Sequence, residues 1–271
     1  MSNAMKALAR ALPVVLVVAS TLPSWGASVA IANHSFENPD NPVEGFASGD
    51  LESLGVPVPA GWTVIATDNN AASNNQEVAV GSKDINPADG TQVLSLMSGA
   101  AITQVTSVPW SSLNVGDTLT LTVAVGDRSN TGSEGQPFFT DESYFGLSDG
   151  AAGRSGPPND GAGGPLDPNW ITNIAARTPT IAIPPNGYKN PNMGDVILAH
   201  TVTPGDVARS GNVGVFIASI GKRDASGLGL SQNYNQGFFD NVRLDLDPVP
   251  EPSVVSVMAF GLAALARRRR L

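Results

Sequence analysis

Cysteine is absent from the 271-residue chain. That excludes disulfides, thiolate metal sites and a cysteine nucleophile. Histidine is scarce, with only His34 and His200. The scarcity argues against a histidine-rich zinc site, and a Ser-His-Asp triad would have to use one of these two residues. Charged residues make up 14%, well under the roughly 25% of ordinary soluble proteins. Aromatics are only 6%, too few for a rich stacking platform. The two apolar runs, Ala11–Leu22 and Val254–Ala266, both fall short of the ~20 residues that span a bilayer durably. No interior segment keeps a helical period beyond about two turns, which argues against bundles and coiled coils. No repeat of 20–50 residues is present, so solenoids and propellers are not expected. Neither a nucleophile elbow, an H-E-x-x-H pair, a P-loop nor a dinucleotide fingerprint occurs. Gly161-Ala-Gly-Gly164 lacks both the Lys-Ser/Thr and the helix that a phosphate cradle needs.

What the chain does have is 29 glycines, 21 prolines and 41% hydrophobic residues. Short β-branched or alternating runs are broken by turn residues throughout. The expected strands are Ser28–Phe36, Gly61–Ile65, Glu77–Val80, Gln92–Met97, Ala101–Thr106, Thr118–Gly126, Ser143–Leu147, Thr180–Ile183, Asp195–Val202, Asn212–Ile220 and Gly237–Leu246. In Thr118–Val125 the alternation is clean, with Leu119, Leu121, Val123 and Val125 facing the core. The fold class that follows is all-β, a two-sheet antiparallel sandwich or jelly roll. Asp127–Pro137 and Asp149–Asn169 read as long loops. Between Ile31 and Pro248 there are 9 basic and 23 acidic residues, a net charge of −14. Such a body repels phosphate backbones, so nucleic acid is not expected as its partner.

The two ends differ in character from the body. Lys6 and Arg10, then the apolar run to Leu22, then small residues around Ser24-Trp25-Gly26-Ala27-Ser28-Val29-Ala30 form the three-part pattern of a secretory signal. Residues 1–30 are expected to be a signal peptide, cut between Gly26 and Ala30. At the other end come Pro250-Glu251-Pro252, an apolar stretch, and Arg267, Arg268, Arg269 and Arg270. This ordered set over 248–271 resembles the PEP-CTERM sorting signal of exported bacterial proteins. As a helix, the apolar stretch is roughly 21 Å long, short for a ~30 Å hydrocarbon core. A transient inner-membrane anchor is therefore expected, with the arginines on the cytoplasmic side. The resemblance implies removal of the tail by an exosortase-type protease near the Pro-Glu-Pro triplet.

Within 31–247 a second resemblance is carried by Asn33-His-Ser-Phe-Glu37, Pro59-Ala-Gly-Trp62, Asp89-Gly-Thr-Gln92, Ile102-Thr-Gln104 and Phe239-Asp240-Asn241-Val242-Arg243-Leu244, in that order. The set is similar to the galactose-binding-like jelly roll of many carbohydrate-binding modules. That resemblance implies that the first and last strands lie side by side, with Glu37 and Asp240 holding a structural calcium ion. Carboxylates at strand ends suit a hard cation, and they equally suit hydrogen bonding to turn amides.

Trp62, Trp110, Trp170, Tyr144, Tyr188 and Tyr234 are candidates for stacking on sugar rings. Trp62 reads as core, whereas Trp170, Tyr188 and Tyr234 adjoin loop-like sequence and are the expected ligand-binding residues. Asp127-Arg128, Asp141-Glu142, Asp149 and Asp160 read as solvated loop charge, and His34 and His200 as structural. The functional expectation is a non-enzymatic exported envelope protein that associates with extracellular polysaccharide. Two alternatives stand beside it. One is a purely structural matrix protein. The other is an enzyme similar to the calcium-dependent Stig cyclases, which share the N-x-S-F-E opening and a P-G-W segment; Asp240 would then be the acid.

Overall fold

The computed structural model describes residues 26–38, 59–66, 78–81, 84–97, 100–129, 143–154, 171–219 and 236–249. They lie almost wholly in one compact unit, Gly26–Pro248. The described strands are β1 Ala27–Val29, β2 Thr63–Ala66, β3 Val78–Gly81, β4 Val93–Met97, β5 Ala101–Pro109, β6 Thr118–Gly126, β7 Ser143–Arg154, β8 Ile171–Arg177, β9 Gly194–Thr201, β10 Asn212–Ser219 and β11 Gln236–Asp247. A 3-10 turn, Trp110–Ser112, and one helical turn, α1 Pro204–Val207, interrupt them.

The strands form two antiparallel sheets. The first runs β3-β4-β11-β6-β9, with β1 also on β11; the second runs β2-β5-β10-β7-β8. This is the expected β-sandwich. Its closing strand β11 pairs with β1, Ala27 against Leu246 and Val29 against Leu244. The first and last strands are therefore neighbours.

Period-2 patterning explains the layers. Leu119, Leu121, Val123 and Val125 of β6 are fully buried against Leu94, Leu96, Phe145, Leu147, Val213, Val215, Ile217 and Phe239 between the sheets. Each such side chain contributes roughly 1.5–3 kcal/mol of transfer free energy when buried. A second cluster, Tyr144, Phe216, Ala101, Ala218, Ala152 and Ile171, uses the alternate residues of the second sheet. A third, small cluster of Ile85, Val93 and Phe238 with Met193 uses the alternate residues of β4 and β11.

Several expectations are corrected. The first strand covers only Ala27–Val29; residues 32–35 form a turn. Thr180–Ile183 is not a strand and keeps only an isolated bridge from Ile181 to Ser143. The stretch Asp149–Arg154 continues β7 instead of opening a loop. Strand β8 went unrecognised because Ile-Thr-Asn-Ile-Ala-Ala-Arg does not alternate cleanly and is bent at Asn173, whose φ is 64°. Two register shifts between β7 and β8 accompany that bend. β1 lies within the 26–30 stretch in which the leader cut is expected, and packs Val29 into the core. The expected signal helix, the tail helix and its arginines lie outside the described residues, apart from Gly26–Ala30. Among the described residues no helix is long and apolar enough to cross a membrane.

Candidate functional site

The opening and closing motifs meet at one place, and a third segment, residues 84–92, is held there. After β1 the chain turns through Asn33–Ser35, with the Phe36 amide donating to the Asn33 carbonyl at 3.1 Å. Phe36 sits at φ 58°, uncommon for a bulky residue. It is tolerated here because the ring is fully buried and tilts against Trp62, 5.3 Å between centroids. The Trp62 indole N–H donates to the Asn33 carbonyl at 3.3 Å. β11 reaches the same turn, where the Val242 amide donates to the His34 carbonyl at 2.9 Å.

This geometry aims two carboxylates at the 84–92 segment. Glu37 Oε1 accepts from the Thr91 and Gln92 amides at 2.8 and 2.9 Å, and Oε2 accepts from the Thr91 hydroxyl at 2.7 Å. The Gln92 side chain donates to the Phe36 carbonyl at 2.8 Å. Gly90 has φ 73°, and any side chain there would collide with the Glu37 carboxylate. Asp240 Oδ2 accepts from the Ala88 and Asp89 amides at 2.7 and 2.9 Å, and Oδ1 from the Asn241 amide at 2.7 Å. The outer end of the segment carries an exposed pair, His34 Nε2 to Asp89 Oδ2 at 3.1 Å. Asn86 and Asn192 tie it to the 186–193 turn.

Asp240 is fully buried. Burial pushes its carboxyl up to about 7, and nearby Asp89 pushes the same way, against three amide donors that favour the anion. Below Phe238, Arg128 lies 5.1 Å from the ring centroid, and burial pulls its guanidinium down to about 10 while Asp84 and Asp127 oppose that. Asp127 and Arg128 were expected to be solvated; both are buried. Asp127 accepts from the Arg128 and Lys189 amides at 2.8 and 2.9 Å. Asp149, read as another free loop acid, accepts from the Gly211 amide at 3.0 Å.

The donor set tests the expected calcium. Oδ2 of Asp240 and Oε1 of Glu37 each accept from two backbone amides, so those two oxygens are engaged by the 84–92 segment. Among the described residues no group of three or more acidic or imidazole side chains converges. Calcium takes 6–8 oxygen ligands, of which these two side chains could supply only a part, through Glu37 Oε2 and Asp240 Oδ1, each of which accepts one hydrogen bond. Both carboxylates anchor turn amides of the 84–92 segment.

A separate polar cluster escaped the sequence reading. His200 at the end of β9 and Arg209 after α1 both reach Asp206, at 2.9 and 3.0 Å. The Thr203 amide and hydroxyl donate to the same carboxylate, completing a capping box. Burial alone would raise this carboxyl; the bonds from Thr203, Arg209 and His200 overcome it and hold it at about 2. The signal was present in the sequence, as Thr203-Pro-Gly-Asp206 has the cap spacing.

Of the aromatic candidates, Trp62, Trp110 and Tyr144 are buried and cannot stack on a ligand. Tyr144 is covered by Arg177, 4.9 Å from its ring centroid. Tyr188 is 42% exposed, with its hydroxyl donating to the Ala182 carbonyl at 2.8 Å. Trp170, Tyr234 and the sorting residues Pro250, Glu251, Pro252 and Arg267–Arg270 lie outside the described residues.

A family profile described as PEP-CTERM protein-sorting motif matches residues 248–270. The C-terminal segment is a PEP-CTERM sorting motif. It implies an exported protein sorted through the envelope. A second profile, described as HpiC1 cyclase, matches residues 27–145, less than half of the chain. No curated protein sequence matches the chain. Among solved structures, a Stig cyclase from Fischerella sp. TAU in complex with an indole compound shares 18% identity. It covers 83% of this chain and 100% of its own, with a TM-score of 0.53. An apo cyclase from Fischerella sp. gives 18%, 83%, 98% and 0.52. These likenesses show the fold. A xylan-binding domain from Paenibacillus barcinonensis gives 10% identity, 84% and 99% coverage and a TM-score of 0.35.

Proposed function

We propose that the chain is an exported envelope protein whose β-sandwich is a non-catalytic passenger, released from its sorting tail by an exosortase-type protease. One observation carries this reading. The last sheet residue is Asp247 and the sorting motif begins at 248, so a cut near Pro250-Glu251-Pro252 removes no residue of the fold. The tail behaves as a transient inner-membrane anchor, and the acidic body is left on the outer side. Extracellular polysaccharide is its proposed partner, with Tyr188, an exposed aromatic on a described turn, as the residue offered to a sugar face.

The non-catalytic reading is supported by how four acids are engaged, Asp240, Asp127 and Asp206 buried and Glu37 half-buried. Glu37, Asp240, Asp127 and Asp206 each accept hydrogen bonds from backbone amides that fix a turn. The test is expression of the full chain in a host with the matching protease. The expected product is a body lacking the arginine cluster by intact mass, and replacing Pro250-Glu251-Pro252 by alanines should leave the tail attached. Loss of the tail regardless of the triplet would defeat the proposal. Retention of the exported protein on extracellular polysaccharide, weakened by Tyr188→Ala, tests the partner. Melting is expected to be the same with calcium as with chelator; a rise with calcium would instead place an ion at Glu37 and Asp240.

A second reading, a cyclase-like enzyme, is favoured by the profile match over 27–145. Its acid candidate, Asp240, is turned to the 84–92 segment rather than to the cluster between the sheets. Thermal-shift titration with 4-(1H-indol-3-yl)butan-2-one, the ligand of one related cyclase structure, decides it. No shift is expected; a saturable shift would favour the enzyme.

A further inference from the structure

The export reading leaves open where the leader is removed, because small residues stand at −3 and −1 for two cuts: Ser24/Gly26 and Ser28/Ala30. The two cuts give very different products. A chain beginning at Ala27 keeps β1. A chain beginning at Ile31 loses it, together with the pairings Ala27–Leu246, Ser28–Asp245 and Val29–Leu244. Val29 is buried in the cluster between the sheets beside Leu244. Its loss would uncover apolar surface and leave residues 244–246 of β11 with an open flank, an aggregation hazard. We propose that the leader is hydrolysed at the Gly26–Ala27 bond, so that Ala27 is the mature N-terminus and β1 is the first residue run of the exported fold. This placement rests on the export reading.

A second observation converges on the same bond. A side chain built on Gly26 would collide with the Asp247 carboxylate, so Asp247 lies beside the Gly26–Ala27 junction. Hydrolysis adds water across that bond, leaving a carboxylate on the discarded Gly26 and an ammonium on Ala27. The new positive charge is formed next to Asp247, the last residue of β11. The two ends of the mature fold are thereby joined by a charge pair. A cut after Ala30 would place the ammonium on Ile31, before the Ala32 amide that donates to Gln104 at 2.7 Å, and would leave Asp247 without it.

The test is N-terminal sequencing and intact mass of the exported protein made from the full chain. Ala27 as first residue is expected. Ile31, or any other start, overturns the placement while leaving export intact; a product that keeps its leader overturns both. Two variants sharpen the result. Ser24→Leu, in the leader, should block processing to Ala27. Ala30→Leu, at an exposed position, should leave the start at Ala27 unchanged. The reverse pattern overturns the proposal.

Discussion

Asp240 and Asp206 are both buried aspartates that organise a turn, and burial raises both carboxyls, yet they end on opposite sides of the ordinary value of 3.8. Asp240 has only neutral amide donors and an acidic neighbour, Asp89, and rises to about 7. Asp206 has a guanidinium, an imidazole and a hydroxyl besides an amide, and falls to about 2. Three amide bonds do not outweigh desolvation at the first site, whereas at the second the Thr203 hydroxyl and amide, with Arg209 and His200 behind them, do. The first turn is therefore held by a group that favours its neutral form, and the second by a committed anion.

The largest effect should come from removing that anion. Asp206→Ala deletes the N3 half of the α1 capping box and leaves Arg209 and His200 facing an empty site. The expected loss is about 3 kcal/mol, combining a broken capping box with broken charge-assisted bonds. Urea unfolding measures it. A loss below about 0.5 kcal/mol, the range of ordinary surface changes, would show that the cluster is incidental.

The pH dependence separates the two sites. Asp206 has a folded value below its unfolded one, so its contribution is present above pH 4 and is lost as pH falls toward 2. Asp240 has a folded value above its unfolded one, so its contribution is present below pH 4 and is lost as pH rises through 7. Melting temperature should therefore peak near pH 4 in this part of its profile. Asp240→Asn should flatten the limb between pH 4 and 7 and leave the acid limb alone. Asp206→Asn should do the reverse. A wild-type profile that rises from pH 4 to 7 would mean that the three amides hold Asp240 ionised after all. Glu37→Gln keeps an acceptor for the Thr91 and Gln92 amides and should cost about 1 kcal/mol in urea unfolding.

Much of this architecture was legible in the residues. The alternation of Thr118–Val125 puts β6 in place, and the paired opening and closing motifs put Glu37 and Asp240 on one segment. What they do there was less legible, since a carboxylate at a strand end serves a cation or an amide equally well until the partner segment 84–92 is placed. Asp127 and Arg128 sit in Gly/Ser/Asn-rich sequence that looks solvated, and only the approach of Lys189 and Phe238 from distant segments buries them. β8 was missed because its regularity depends on β7 as template, with the bend at Asn173 breaking the local period.

The smallest effect should fall on the exposed rim of the Asp240 turn. His34 and Asp89 are each about half exposed, 47% and 49% by side chain, although they lie 3.1 Å apart. Water screens such a pair, and exposed ion pairs contribute roughly 0–1 kcal/mol. The 84–92 segment is already fixed by five bonds to Glu37 and Asp240, so the rim pair adds little order. His34→Gln is expected to shift the unfolding midpoint within experimental error, at low salt and at high salt alike. A large loss that disappears in high salt would mean that the rim, rather than the buried carboxylate, holds the turn.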